Sequence, residues 1–217
     1  MSTKDTYRTV AYESETLIVE KKSKFYSHVM PVDNEADAIR YLNDIRSKYS
    51  DATHNVYAYV IDENNIFRYS DDGEPSGTAG MPVLDTIRKS GIVDVIVVVT
   101  RYFGGTLLGT GGLVHAYGSS ARKGLLESMV IIREMCDVVN VKTGYDLSGK
   151  IQYMLSSEGY ITEDTIYEDD VTFRICSPKD RTASLIAGIT ELTNGRAVPE
   201  IIGHKYADRR DDDFYDS

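Results

Sequence analysis

Five glycines, Gly104, Gly105, Gly109, Gly111 and Gly112, fall within nine positions of the stretch TRYFGGTLLGTGGLVHAYGSSARKG (residues 100–124). A run of β-branched residues precedes them and a helix-like pattern follows. Strand, glycine loop and helix start are the parts from which phosphate-binding sites are built. A Walker-type loop needs a lysine and then a hydroxyl residue after its second glycine. Gly104 and Gly109 have that spacing, but Thr110 and Gly111 stand in the two positions, which excludes it. The dinucleotide fingerprint fails as well, because Val114 occupies the place of the third small residue. What remains is a nest of backbone amides near Arg101 and Arg122 that could hold a bare anion. Against it stands the structural reading, which carries more weight: glycines permit a sharp turn and close helix–sheet packing.

The segment SDDGEPSGTAG puts three carboxylates, Asp71, Asp72 and Glu74, within four residues. Such a group can ligate magnesium or act as acid and base. Asp-Gly and Pro-Ser-Gly are also ordinary turn formers, and turn carboxylates are usually solvated. For nucleophilic catalysis the parts are Ser119 or Ser120, His115 and His54, yet no serine stands in a Gly-x-Ser-x-Gly elbow. Cys136 reads as a core residue. The two cysteines and four histidines lack ligand spacing, so no bound metal is expected and no cofactor is indicated. Several of the 16 tyrosines (Tyr57, Tyr59, Tyr69, Tyr102, Tyr117) lie near the loops. With a nearby arginine they suit a protein interface or stacking on unpaired bases, against plain strand packing.

The elements that must position these residues fall into two groups. In the first, two strand runs over residues 15–32 are followed by a helix capped by Asp33 or Asn34, with Ala38, Ile39, Leu42, Ile45 and Tyr49 on one stripe. HNVYAYVI and NIFRYS flank DENN, a hairpin pattern. A short helix follows, with Pro82 in its first turn and Gly91 at its end. IVDVIVVVT is apolar on both faces and reads as a central strand. A helix carrying Leu113, Ala116, Tyr117, Ser120, Ala121 and Leu125 then starts near Gly112. That is an α/β sandwich over residues 1–136. Residues 137–217 read as βαββαβ, the ferredoxin-like order, with Ala183, Ile186, Ile189 and Leu192 facing inward on the second helix. The tail ADRRDDDFYDS reads as a frayed, solvated end. The fold class is therefore α+β in two domains.

The 217 residues carry a net charge of −10 and 41% hydrophobic content. Residues 1–136 hold 15 Lys and Arg against 18 Asp and Glu, net −3, so any basic face is local. Broad binding to duplex DNA is disfavoured. No apolar run approaches the roughly 20 residues that span a bilayer. The N-terminal stretch lacks both a basic and an apolar region, so no signal peptide is read there, and a reduced, cytoplasmic protein follows.

Residues 51–121 resemble the YigZ/IMPACT family through three motifs in order. Ala52-Thr53-His54 fills A-x-H, and residues 71–80, among them Asp71, Asp72, Glu74 and Thr78, fill DDGEP-x-GTAG. Arg101, Tyr102, Gly104, Gly105, Gly109, Thr110, Gly111 and Gly112 stand in RYxGGxxLGTGGLVxAY. Met81 departs from the pattern, since many members carry a basic residue there. The resemblance implies a first domain with the fold of domain IV of elongation factor G and a second like its ferredoxin-like domain V. It implies no catalytic residues and no established reaction. The expected function is a non-enzymatic, cytoplasmic regulator associated with translation, binding ribosome, RNA or a ribosome-bound factor through these motif residues. Alternatives are an enzyme acting on a small phosphorylated substrate, and a protein-interaction module that does not touch nucleic acid.

Overall fold

The strand Val95–Tyr102 (β6) has buried residues on both of its faces, and the first half of the protein is built around it. In the computed structural model, which describes residues 5–215, β6 lies at the centre of the sheet β2-β3-β6-β4-β5. Its neighbours are Ser23–Pro31 (β3) and His54–Ile61 (β4), flanked by Ser14–Glu20 (β2) and Ile66–Ser70 (β5), all antiparallel. Side chains alternate across a strand, so Val95, Val97 and Val99 face one way and Ile96 and Val98 the other. Ile96 and Val98 pack with Ala38, Leu42 and Ile45 of the helix Glu35–Lys48 (α1). The valines pack with Gly80–Lys89 (α2) and Gly109–Glu127 (α3). Asn34 caps α1 by accepting from Asp37 N at 3.0 Å. Ile39, placed on the inner stripe by its spacing, is 46% exposed instead.

Two departures concern the glycine segment and the tail. The helix α3 begins at Gly109, not near Gly112, so Gly111 and Gly112 belong to its first turn and the loop ends earlier than the sequence suggested. The acidic end is not frayed as far as Tyr215. Asp211 is 1% exposed and pairs with Arg8, from the strand Thr6–Val10 (β1). Phe214 is buried in the same core as Val130, and the Tyr215 hydroxyl accepts from Val130 N at 2.9 Å. An apolar ring and a paired carboxylate outweigh the solvation of the remaining acids. Residues 1–4 and 216–217, part of the leader reading and of the acidic tail, lie outside the described residues.

The chain divides into two units, the first comprising residues up to Ile132 and from Arg209 onward, the second Arg133–Asp208. The division therefore differs from a cut after residue 136. The second unit follows Val130–Thr143 (β7), Tyr145–Ser157 (α4), Ile161–Tyr167 (β8), Val171–Pro178 (β9), Lys179–Thr193 (α5) and Val198–Arg210 (β10). Its strand order is β10-β7-β9-β8, the split βαβ arrangement. Val139, Val141, Phe173 and Ile175 pack with Ile151 and Leu155 of α4 and Leu185 and Ile189 of α5. On α5 the inward stripe is Thr182, Leu185, Ile189 and Thr193, while Ala183 is exposed and Ile186 half-buried. The two threonines are tolerated because their hydroxyls bond to Pro178 O and Ile189 O. Cys136 and Cys176 are free and buried, and burial with Cys176 beside it pushes the Cys136 thiol up to about 12.

Candidate functional site

Arg101 is the last inward position of an alternating run. It shares the face of Val95, Val97 and Val99, pairs across the sheet with Phe25 and His54, and is 5% exposed. A guanidinium in such a place needs a partner. Glu74 supplies it: its Oε1 accepts from Arg101 Nη1 at 2.5 Å and from the Tyr117 hydroxyl at 2.8 Å. The guanidinium also lies 5.4 Å above the Phe25 ring and 5.6 Å from that of Phe103. Burial, followed by the charge of Glu74, raises the Tyr117 phenol far above its ordinary value, so it stays a donor. His54 Nε2 lies 3.7 Å from the same carboxylate oxygen. Its Nδ1 lies 2.8 Å from the Asp72 carbonyl, which can only accept, so that nitrogen carries a proton.

The turn that carries Glu74 is built by its neighbours. Asp71 accepts from Gly77 N, Ala79 N and Gly80 N at 2.8–3.0 Å, so it closes the loop onto the start of α2. Asp72 accepts from Asn55 N at 2.7 Å and from Arg46 at 3.1 Å, and Thr78 donates to Pro75 O at 2.7 Å. These three are therefore bound within the scaffold rather than offered to a ligand.

The glycines divide in the same manner. A Cβ on Gly104 would stand 2.1 Å from the Lys22 carbonyl carbon, so this glycine exists to let the chain press on the β2–β3 turn. Gly105 and Gly109 hold positive φ, at 83° and 75°. Gly111 stands in open space. Gly112 is held against Leu108, the residue at its α3 N-cap.

Two depressions result, and Phe103 borders both. One is a cavity of about 450 Å³ whose polar members are Thr53, His54, Glu74, Arg101 and Thr110, under apolar walls that include Leu107, Leu108 and Leu113. The other is a groove of about 420 Å³ lined by Lys22, Lys24, Tyr26, Tyr49, Asp51 and Tyr102. In it the Tyr102 hydroxyl donates to Asp51 at 2.7 Å, which raises that phenol to about 12, and Tyr26 stacks on Tyr49 at 6.0 Å. His115 and Ser119 line a third cavity, of about 540 Å³. Among the described residues no group of three or more His, Cys, Asp or Glu could hold a metal ion, and no helix is long and apolar enough to cross a membrane.

Of the residues marked out by the sequence, the structure brings His54, Glu74, Arg101, Gly109 and Thr110 to one cavity and Tyr102 to the adjoining groove. Arg101, read from the sequence as a charge near the glycine-loop amides, is buried and paired with Glu74. Comparison with known proteins fits this geometry. Residues 21–125 match the Impact N-terminal domain, which takes in the lining of both depressions, and residues 141–196 match a domain of unknown function, DUF1949. The IMPACT family member YvyE of Bacillus subtilis is 39% identical over 88% of this chain and 88% of its own.

The chain belongs to the IMPACT family.

YigZ of Escherichia coli, another IMPACT family member, is 32% identical over 81% of this chain and 87% of its own. A crystal structure described as that of a hypothetical protein covers 92% of this chain at a TM-score of 0.58 and 27% identity. Within the IMPACT domain, sequence reasoning missed Lys22, Lys24, Tyr26, Tyr49 and Phe103. The available signal was EKKSK between two strand runs, which is a basic hairpin tip. Only the pairing of β3 with β6 puts that tip beside Tyr102 and Phe103.

Proposed function

We propose that this chain is a non-enzymatic, cytoplasmic regulator of translation whose first unit docks an unpaired RNA segment of the ribosome. The groove of Lys22, Lys24, Tyr26, Tyr49, Tyr102 and Phe103 carries the reading. Ammonium groups beside open aromatic faces are what a single strand needs, since cations follow the backbone and rings stack on bases. Phe103 is 48% exposed, and Lys22 and Lys24 are exposed as well. The β2–β3 turn adds a second argument. Lys21 and Lys22 occupy it with φ of 45° and 69°, in the left-handed region where asparagine or glycine is the ordinary choice. Retaining two lysines there costs local strain, of the kind that collects at functional positions. Gly104 supports the turn from below by its missing side chain.

The local character of this basic face suits a chain of net charge −10. It would engage one strand in one place rather than coat a duplex. The implied likeness of the two units to domains IV and V of elongation factor G belongs to the same reading, because that factor works on the ribosome. A phosphoryl-transfer site is less well supported: Asp71 and Asp72 hold backbone amides, and the charge of Arg101 is offset by Glu74.

Co-sedimentation with ribosomes across a salt series tests the proposal. Binding should fall steeply as salt rises, with a log–log slope of about −0.7 for each phosphate contacted. Lys22→Ala with Lys24→Ala should flatten that slope, and Phe103→Ala should weaken binding by about 1–3 kcal/mol, the scale of one stacked base. Absence of co-sedimentation at low salt, or binding indifferent to all three substitutions, would remove the reading.

A further inference from the structure

One group in the groove beside Tyr102 does not suit the phosphates of a strand. Asp51 is exposed there among the lysines and aromatic rings. Its carboxylate opposes the attraction of Lys22 and Lys24 for a polyanion, so it weakens the contact unless it meets a donor. The fold holds it in place. Thr53 N donates to Arg101 O at 2.9 Å, and Thr53 Oγ1 accepts from Phe103 N at 3.2 Å. These two bonds fasten the segment between α1 and β4 to the end of β6. The Tyr102 hydroxyl then donates to Asp51 Oδ1 at 2.7 Å, and among the described residues it is the one partner of that carboxylate. A carboxylate has about four lone-pair positions, of which Tyr102 takes one. The same bond raises the Tyr102 phenol to about 12, so the hydroxyl stays a donor and Asp51 keeps its acceptors for a ligand. Lys24 stands directly opposite Tyr102 in the β3–β6 register, which sets a phosphate-binding cation next to this pair.

Unpaired bases that stack on aromatic rings present their Watson–Crick edges for reading. A carboxylate selects among those edges. Guanine offers two adjacent donors, N1–H and the 2-amino group, which the two carboxylate oxygens accept in parallel. Adenine and cytosine each set one amino donor beside an acceptor nitrogen, and uracil sets its single N3–H between two carbonyls. We infer that Asp51 reads an unpaired guanine in this groove, with Tyr102 as the residue that orients it. The base lies against the rings, its N1–H and 2-amino group donate to the carboxylate, and Lys22 and Lys24 meet the flanking phosphates. This role rests on the RNA docking proposed above and narrows it to one base.

Fluorescence anisotropy of the full chain with labelled uridine oligomers provides the test, one all-uridine and the others carrying a single central guanosine, inosine or adenosine. At low salt the guanosine oligomer should bind about tenfold tighter than the adenosine one, within the range that a bidentate contact discriminates. Inosine keeps N1–H but lacks the 2-amino group, and should fall between them. Asp51→Asn still offers Tyr102 an acceptor, yet turns one acceptor toward the base into a donor. It should abolish the guanosine preference and favour adenosine, whose amino group and N1 match a carboxamide. Tyr102→Phe keeps the ring but frees the carboxylate to rotate, and should narrow the gap between guanosine and adenosine. Equal affinity for those two oligomers, beside salt-sensitive binding of the all-uridine one, would overturn the inference and leave the RNA reading standing. A guanosine preference unchanged in Asp51→Asn would overturn it as well, since the carboxylate would then only brace Tyr102. If no oligomer binds at low salt, the RNA reading and this role fall together.

Discussion

Arg101 and Glu74 illustrate how one buried charge commits another. They are 5% and 8% exposed, and removing either leaves the other without its buried counter-ion. Arg101→Ala is expected to destabilise the chain by about 3–5 kcal/mol, the scale of an orphaned buried charge. Urea unfolding of that variant checks it, and Arg101→Met combined with Glu74→Leu should regain most of the loss. His28 is a second buried residue with a measurable consequence. It is 1% exposed, and burial pushes its imidazole from 6.5 down to about 4, against the pull of Glu15 at 3.4 Å. The unfolded chain therefore binds a proton between those values that the folded chain refuses. The resulting contribution is complete above 6.5 and is lost as pH falls toward 4, at most about 3 kcal/mol. His28 Nε2 has no hydrogen-bond partner among the described residues, so His28→Phe should keep neutral-pH stability and flatten the stability–pH curve over that window, read by urea midpoints.

At the level of elements, two glycines of the same motif should respond oppositely to alanine. Gly104 sits against the Lys22 backbone, where an added Cβ meets a carbonyl carbon at 2.1 Å. Gly104→Ala should cost about 1–3 kcal/mol, as overpacking does, and should loosen the basic turn, so ribosome binding falls with stability. Gly111 lies in the first turn of α3 with nothing near its Cβ direction and no positive φ. Gly111→Ala should leave stability unchanged or raise it by up to about 1 kcal/mol. Thermal melts of the two variants separate the packing glycine from the merely helical one. The motif is thus several devices side by side: a close approach at Gly104, a left-handed residue at Gly109 where α3 starts, and the first helical turn at Gly111 and Gly112.

For the whole molecule, the relevant connection is the return of the chain to its first unit. Asp211, Phe214 and Tyr215 contribute an ion pair, an apolar ring and a hydrogen bond to that unit. Truncation after Asp208 should lower the melting temperature of the first unit markedly, and a 1–136 fragment should be unstable for the same reason. The second unit enters through β7 and leaves through β10, and Arg133 pairs with Asp208 at 2.7 Å, so its two ends are adjacent. Replacing residues 133–208 with a short Asn-Gly turn should therefore give a cooperatively unfolding first unit, seen in circular dichroism. If the 1–136 fragment melts cooperatively and the excised version does not, the tail has been given too large a role.

The sequence by itself determined what depends on periodicity and local chemistry. The two-faced apolar run of β6, the stripe of α3 around Leu113, Ala116 and Tyr117, a cap at Asp33 or Asn34 and the βαββαβ order all rest on near neighbours, and each is present in the structure, with Asn34 as the cap. The parity of Arg101 with Val95, Val97 and Val99 was also legible, although its burial went unread at the strand's end. Tertiary structure decided what depends on distant partners. Only the register of β3, β6 and β4 places Phe25, Arg101 and His54 in one row, and only the docking of α3 brings Tyr117 to Glu74. Whether a carboxylate in a turn is solvated or braced, and whether an acidic tail frays or packs, depends on what lies opposite it. Those partners are up to 203 residues away along the chain, as for Arg8 and Asp211, a separation at which spacing carries no signal.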